Sequence, residues 1–211
     1  MTKPKIMVVP VTPFQQNCAL IWNEETQAGA VVDPGGDVDV IAQAIAKSGA
    51  RIDKILLTHG HIDHAGGAAE LKERLGVPIE GPHADDLFLL EGLAHSGAQF
   101  EIDARPVVPD RWLREGDEVT IGGLRFAVLE CPGHTPGSVV LFNPDHRFCF
   151  MGDVLFKGSV GRSDFPYGDH GTLIRSIKEK IFPLGDDVSF LPGHGPASTV
   201  GEERQSNPFL T

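Results

Sequence analysis

Four short apolar segments of this 211-residue chain each end in a turn that carries histidine or aspartate. The first runs into THGHIDH, two later ones into CPGH and LPGH, and a fourth into MGD. Open α/β sheets bind ligands where the ends of neighbouring strands meet at one edge. The pattern therefore favours a fold that brings these four strand ends together, and it predicts one shared site.

The candidate ligands in these turns are five histidines and two aspartates: His59, His61, Asp63, His64, His134, Asp153 and His194. Imidazole and carboxylate groups suit zinc, iron or manganese, and no thiolate is required. Seven ligands exceed the four that one tetrahedral zinc ion takes. The sequence therefore predicts two divalent metal ions, with zinc as the first choice and iron or manganese as alternatives.

The spacing of HxHxDH predicts how its side chains are directed. A helix would not let His59 and His61 face each other. In an extended loop, residues i, i+2 and i+4 project to one side, so His59, His61 and Asp63 would lie together and His64 would turn away. The dense spacing is therefore more typical of two ions than of one.

The seven residues divide into two groups that share Asp153. One group has three histidines and the other has an aspartate and two histidines: His59, His61 and His134 against Asp63, His64 and His194. Two such ions typically lie about 3.5–4 Å apart and hold a bridging water whose pKa falls to near 7. Ordinary polar turns and a structural ion are the alternative interpretations, although structural zinc favours closed sites rich in cysteine.

Charge and composition exclude several classes of partner. Twenty-nine acidic and 18 basic residues give a net charge of −11, which offers no electrostatic attraction to nucleic acid or anionic lipid. No apolar stretch approaches the roughly 20 residues of a membrane span. The three cysteines form no CxxC pair, which is typical of a reducing compartment. We therefore expect a cytoplasmic protein that binds neither nucleic acid nor membrane.

Hydrophobic periodicity predicts alternating and meandering elements. Helices are expected after Asp37 up to Gly49, over 68–75, over 84–94, and from Asp169 to Pro183. The segment 95–114 is predicted to be an irregular loop and 198–211 a short polar tail. The predicted strands cover 5–11, 18–23, 28–33, 54–57, 118–121, 124–130, 138–142, 147–151 and 188–191, with a further strand from Ile79. This mixture predicts sheets covered by helices on the outside.

THGHIDHAGG, PGHTPGS, MGD and PGHGP resemble the motifs of the metallo-β-lactamase superfamily over roughly 18–196. The resemblance implies a four-layer αββα sandwich, an α/β (α+β) fold of two mixed sheets with outer helices. DVLFKGSVGRSDFPYGDH and LPGHGPASTVGEERQSNPFL resemble single-domain bacterial glyoxalase II-type hydrolases. We therefore expect one domain over 1–211, without the C-terminal helical glutathione-binding domain of two-domain enzymes.

That resemblance implies hydrolysis of hydroxyacyl thioesters such as S-lactoylglutathione, a small-molecule substrate. Asp63 would ligate a metal and also orient the nucleophile, as a catalytic residue. Arg162 aligns with the basic residue that helps to hold glutathione in the family, and an ion pair with Asp164 is its alternative role. The family's aromatic residue after the third histidine motif is missing, because Gly195 follows His194.

Other functions remain open from the sequence. A glutathione persulfide dioxygenase with a single iron also carries a GR-[ST]-DF segment, and GRSDF is present here. Another hydrolase of the same fold and a non-catalytic metal-binding module are further alternatives. Cys131 is expected to be a buried strand-end residue rather than a nucleophile. Tyr167 is expected to be a packing residue, with a substrate contact as its alternative role. Four histidines are expected to lie outside the site: His83, His95, His146 and His170. The oligomeric state is not predicted.

Overall fold

Two mixed β-sheets pack face to face in the computed structural model, which describes residues 3–210. The expected domain over 1–211 extends beyond this range at residues 1, 2 and 211. In the first sheet, β1 to β3 run antiparallel and β3 to β5 run parallel. Its strands, in spatial and chain order, are β1 Pro4–Val11, β2 Gln16–Asn23, β3 Ala28–Val32, β4 Arg51–Leu56 and β5 Ile79–Glu80.

The second sheet has six strands in the order β13-β12-β9-β8-β7-β6. Only the β12–β9 pair is parallel among the strand pairs described for this sheet within 3–210. A separate hairpin follows β9. The strands are β6 Glu118–Ile121, β7 Leu124–Glu130, β8 Val139–Asn143, β9 Phe148–Gly152, β10 Leu155–Phe156, β11 Ser159–Val160, β12 Ser189–Pro192 and β13 Ser198–Thr199.

Helices cover the outer face of each sheet. They are α1 Val38–Ser48, α2 Ile62–Ala65, α3 Ala68–Leu75, α4 Leu87–Glu91, α5 Leu93–Phe100, α6 His170–Ser176 and α7 Val200–Ser206. One apolar cluster joins α1 to α5 to the first sheet, and another joins α6 and α7 to the second. The prediction of a four-layer αββα sandwich is therefore confirmed.

Side chains that alternate along the strands fill two different parts of the core, one between the sheets and one under the helices. On β2, Ala19 and Ile21 belong to the core between the sheets, whereas Leu20 and Trp22 belong to the core under the helices. Successive side chains of a strand point to opposite faces, so both faces of this central strand are buried. Burial on both faces explains why the middle of β2 is an uninterrupted series of apolar residues in the sequence.

Most predicted elements are present, and the differences lie in short ones. The predicted helix 84–94 is interrupted: a 3-10 turn over Ala84–Asp86 precedes α4, and α5 begins after Gly92. The loop prediction for 95–114 was wrong at its start, because α5 continues to Phe100. Few residues of α5 are buried (Leu93 and Gly97), so its apolar period is weak.

The short polar tail expected over 198–211 contains a strand and a helix between residues 198 and 206, which the sequence analysis did not predict, and its last residue, 211, lies outside the described range. β13 pairs with β12, and α7 follows with Thr199 accepting a hydrogen bond from the Glu202 amide at 3.2 Å. Val200 and Glu203 are buried. Glu203 accepts hydrogen bonds from Ser198 and Asn207, which explains how polar residues form a packed segment.

Within residues 3–210, no helix has both the length and the apolar character that crossing a bilayer requires.

Candidate metal centre

The seven predicted ligands come together where four strands end. The loop after β4 and the short helix α2 supply His59, His61, Asp63 and His64, which is the contribution of the first sheet. The second sheet supplies one residue after each of three strands: His134 after β7, Asp153 after β9 and His194 after β12. The ligand atoms of each three-residue group lie within 4.8 Å of one another.

The expectation of an extended HxHxDH loop was wrong beyond His61. His61 is extended (φ −66°, ψ 153°), but its carbonyl accepts hydrogen bonds from the amides of His64 and Ala65, which begins helix α2. Because Asp63 and His64 lie on this helical turn, both are directed toward His194 rather than to opposite sides. The spacing argument therefore fails, although the division into two groups agrees with the contacts found.

The first group consists of three imidazoles. His61 Nδ1 lies 3.1 Å from His59 Nε2 and 2.9 Å from His134 Nε2. Burial lowers the pKa of His59 well below its usual value, and burial together with the neighbouring His134 lowers the pKa of His61 to about 3. These rings are therefore neutral at physiological pH and offer lone pairs, as metal ligation requires.

Carboxylates surround the second group. Asp63 Oδ2 lies 3.1 Å from His194 Nε2 and 4.0 Å from His64 Nε2. Asp153 lies between the two groups, with Oδ1 3.3 Å from His64 Nε2 and Oδ2 3.5 Å from His134 Nε2. Burial lowers the pKa of His64, but Asp153 and Asp33 outweigh it and raise that pKa well above its usual value.

Two buried atoms in this arrangement lack a hydrogen-bond partner within the described residues: His64 Nε2 and Asp153 Oδ1. Leaving such polar atoms buried and unpaired is costly. Gly193 makes their approach possible, because a Cβ there would lie 2.0 Å from Asp153 Oδ1. Imidazole and carboxylate donors aimed at a common space fit divalent cations. The seven residues are thus consistent with a dinuclear metal site, and their individual ligand roles stay predictions.

The second nitrogen of each histidine faces an oxygen. The five pairs are His59 Nδ1–Thr58 Oγ1 at 3.1 Å, His61 Nε2–Tyr167 Oη at 2.9 Å, His64 Nδ1–Asp33 Oδ2 at 2.9 Å, His134 Nδ1–Arg162 O at 2.6 Å and His194 Nδ1–Phe14 O at 3.2 Å. Such contacts fix the tautomer and the ring orientation of metal-binding histidines.

Asp33 is a functional residue that the sequence analysis missed. Its carboxylate accepts hydrogen bonds from the amide and the hydroxyl of Thr58 at 2.8 and 2.7 Å, and it also contacts His64. Asp33 therefore supports one histidine of each group. The signal was available: Asp33 directly follows the buried strand β3, just as Asp153 follows β9. Its segment DPGGD, residues 33–37, is equally typical of a turn before a helix, so its composition alone did not single out Asp33.

Asp86 is a second residue that the sequence did not single out. Its side chain is buried and accepts hydrogen bonds from the amides of Gly60 and Gly137 and from the hydroxyl of Thr135, at 2.7–2.8 Å. Burial raises the pKa of Asp86 to about 6. Asp86 thereby joins the loop carrying His59 and His61 to the loop carrying His134.

A cleft of about 480 Å³ opens over the ligand groups. Phe14 and Phe100 form one wall, with ring centroids 5.2 Å apart. Phe165 and Tyr167 form another, stacked at 5.3 Å with nearly parallel rings. These two aromatic walls suit an organic substrate rather than a bare ion.

Arg162 also lines the cleft, but its guanidinium forms an ion pair with Asp164 and lies 4.4 Å above the Phe165 ring. The alternative role considered for it, an ion pair with Asp164, is therefore present. A substrate contact by Arg162 stays a prediction.

Cys131 is buried, and burial raises the pKa of its thiol to about 12. It is therefore a protonated thiol rather than a nucleophile, as expected. The ligand groups found within 3–210 contain neither His83 and His95 nor His146 and His170.

Residues 11–200 match the profile of the metallo-β-lactamase superfamily. The chain belongs to the metallo-β-lactamase superfamily. It is 46% identical over 209 residues to the hydroxyacylglutathione hydrolase GloC of Haemophilus influenzae, with 97% of each chain covered.

Two solved metallo-β-lactamase-fold structures are similar over nearly the whole chain. BLEG-1, described as a B3 metallo-β-lactamase, gives a TM-score of 0.90 at 34% identity, covering 98% of this chain and all of its own. TTHA1623, solved in a di-iron-bound form, gives 0.87 at 37% identity, covering 97% and 100%. Together with the ligand groups, these comparisons identify a metal-dependent hydrolase of the metallo-β-lactamase superfamily.

Proposed function

We propose that this protein hydrolyses hydroxyacyl thioesters of the S-lactoylglutathione type with two divalent metal ions, as a type II glyoxalase. The main observation behind the proposal is that the seven side chains form two groups joined by Asp153, and that these groups lie under a cleft with aromatic walls. The substrate class is supported by the full-length similarity to GloC of H. influenzae, named a hydroxyacylglutathione hydrolase.

The three-histidine group would hold one ion, the group of Asp63, His64 and His194 the other, and Asp153 would contact both. Two divalent ions in such a site supply a hydroxide nucleophile at neutral pH and positive charge opposite the developing oxyanion. Zinc is our first choice. Iron is supported by the di-iron form of TTHA1623.

Asp63 has a second role in this proposal. Burial raises its pKa, but the hydrogen bond from His194 and the nearby His64 outweigh burial and lower it below the usual value. The carboxylate is therefore ionised at neutral pH. Its Oδ2 faces His194, which leaves Oδ1 to accept a hydrogen bond from the attacking water and orient it toward the thioester carbon.

Arg162 would bind the thiol half of the substrate. Its side chain is exposed at the cleft and paired with Asp164 on the surface. Exposed ion pairs contribute little, so a carboxylate of the thiol can replace Asp164 at small cost. On this proposal Arg162→Ala raises KM for S-lactoylglutathione about tenfold and changes kcat little, because the contact lies away from the reacting carbonyl.

The proposal is tested with purified protein that has been loaded with zinc, iron or manganese and analysed for metal content. We expect about two equivalents of metal and cleavage of S-lactoylglutathione that a chelator abolishes. The substrate panel includes thioesters of other thiols and a chromogenic cephalosporin, because BLEG-1 is described as a metallo-β-lactamase. Metal-replete protein that cleaves no thioester would refute the proposed function.

The same purified protein can distinguish thioester hydrolysis from the alternative activity, persulfide dioxygenation. A persulfide dioxygenase would consume oxygen with glutathione persulfide and carry one iron per chain. The GRSDF segment that motivates this alternative lies at the cleft, where Phe165 packs on His61 with ring centroids 5.0 Å apart. Oxygen uptake without thioester cleavage would favour it over hydrolysis.

A further inference from the structure

The phenol oxygen of Tyr167 lies 2.9 Å from Nε2 of His61, on the wall of the cleft. The other ring nitrogen, Nδ1, faces the Nε2 atoms of His59 and His134. A neutral imidazole carries its proton on one nitrogen only. If His61 offers an Nδ1 lone pair to a cation, as its position in the group requires, its proton lies on Nε2 and is donated to Tyr167.

Tyr167 must then direct its own proton elsewhere. With that tautomer its oxygen accepts from His61, and within residues 3–210 the hydroxyl makes no other hydrogen bond. The ring is held by stacking on Phe165 and by an edge contact with Phe88 at 5.2 Å. A phenol that can rotate its O–H but not its ring presents that proton to the cleft.

We propose that Tyr167 is a catalytic residue that donates a hydrogen bond to the carbonyl oxygen of the bound thioester. This inference rests on the proposed function. When hydroxide adds to the carbonyl carbon, the π electron pair moves to the carbonyl oxygen, and when that pair returns, the C–S bond breaks and the thiolate leaves with the bonding pair. The Tyr167 proton stays on the phenol, and its hydrogen bond strengthens as that oxygen becomes negative.

The sequence alone favoured packing for Tyr167, since a single tyrosine in a turn carries no pattern. The structure adds the hydrogen bond to His61, the position on the cleft wall and a donor with no protein acceptor in the described part of the chain. These three observations together indicate a role that packing does not require, because packing needs only the ring.

The test compares Tyr167→Phe with wild type and with Phe88→Leu. Tyr167→Phe keeps the stacked ring and removes only the hydroxyl, whereas Phe88→Leu disturbs the ring's support without touching the cleft. Losing one oxyanion donor typically lowers kcat about 10²-fold or more. We expect that loss for Tyr167→Phe with KM nearly unchanged, normal metal content, and the same factor for lactoyl thioesters of several thiols. Phe88→Leu keeps the hydroxyl and removes only one of the two ring contacts that hold Tyr167, so we expect a smaller loss of kcat than for Tyr167→Phe.

Two outcomes overturn the proposal. If Tyr167→Phe loses metal but keeps wild-type kcat per occupied site, Tyr167 only positions His61. If its loss of kcat grows as the thiol becomes less acidic, the hydroxyl assists the departing thiolate instead of the carbonyl oxygen.

Lactate binding to the metal-loaded protein distinguishes failure of this proposal from failure of the proposed function, because it requires no turnover. A hydrogen bond to a carboxylate contributes enough for Tyr167→Phe to bind lactate about tenfold more weakly in a calorimeter. Equal affinity of both proteins would overturn the role of Tyr167. Weaker binding alongside a wild type that cleaves no thioester would overturn the proposed function alone.

Discussion

The two ligand groups differ in charge and in exposure. The three-histidine group contains only imidazoles, and His59 and His134 are buried beneath the cleft. In the second group, Asp63 accompanies the histidines, and the His194 side chain is 28% exposed, while Asp153 lies between the two groups. One group therefore consists of neutral rings, whereas the other holds a carboxylate of its own and opens toward solvent.

This difference indicates how each group is prepared for a cation. Burial removes the protons of the first group in advance, because it lowers the pKa of His59 and His61. In the second group, paired carboxylates hold a proton on His64. A cation that binds to the first group would displace no proton, whereas a cation that binds to the second group would displace a proton. Metal binding to the two groups would therefore depend differently on pH.

Asp153→Ala should have the largest effect, because Asp153 is shared by both groups. Changes in outer-shell partners typically cost 10–100-fold, so we expect loss of a shared ligand to lower kcat/KM by at least about 10³-fold. Elemental analysis should find both ions depleted. His64→Ala is the matched control and should lose mainly one ion. Equal depletion by both variants would contradict the division of ligands.

Asp33→Asn should have the next largest effect. The Asp33 Oδ2 atom contacts Thr58 Oγ1 and His64 Nδ1, while Oδ1 accepts from the Thr58 amide, so an Asn side chain with one acceptor oxygen cannot keep all three contacts. We expect metal affinity to fall about 10–100-fold, with the second group more affected since Asp33 contacts His64 directly. The metal affinity is measured by competition with a chromophoric chelator. Asp37→Asn, in the same DPGGD segment but outside the ligand groups, should leave affinity unchanged.

The pH dependence of metal affinity provides a further test of the difference between the two ligand groups. The raised pKa of His64 means that the ion-free protein keeps this proton to higher pH than a free histidine would. Burial lowers the pKa of His194, but Asp63 and Asp153 outweigh it and raise that pKa as well. Ion binding to the second group should therefore release protons from both histidines, and its affinity should rise steeply with pH. The first group should show a smaller slope, because burial lowers the pKa values of its three histidines. Titrations from pH 5.5 to 8.5 that give parallel slopes for both ions would disprove the contrast.

Asp86→Asn should have the smallest effect on metal and a measurable effect on stability. The folded-state pKa of about 6 lies above the ordinary value near 3.9, so the folded protein binds more protons between these values than the unfolded chain. The stability contributed by protonated Asp86 is therefore full below pH 4 and is lost as pH rises through 6. In chemical denaturation of ion-free protein, Asp86→Asn should reduce the dependence of the free energy of unfolding on pH in this range. An unchanged pH dependence would show that another group titrates there.

The sequence allowed the layers and the ligand set to be predicted because strand ends and turns leave local signals. DPGGD, PGH and MGD each lie at the end of a strand, and Gly49 ends α1 as expected. What could not be predicted depends on contacts between distant segments. The role of Asp86 needs Gly60 and Gly137, which lie 26 and 51 residues away. The turn of α2 was missed because four residues are too few to show helical periodicity.

The two sheets contribute to the metal centre separately. Four of the predicted ligands follow β4 and three follow strands of the second sheet, so a cation held between them joins the halves of the sandwich. Its binding free energy then adds to the free energy of unfolding of the whole domain, because the unfolded chain has no such arrangement. Bound ions would thus stabilise the folded domain as well as take part in the proposed reaction, and a chelator would lower the free energy of unfolding together with the activity.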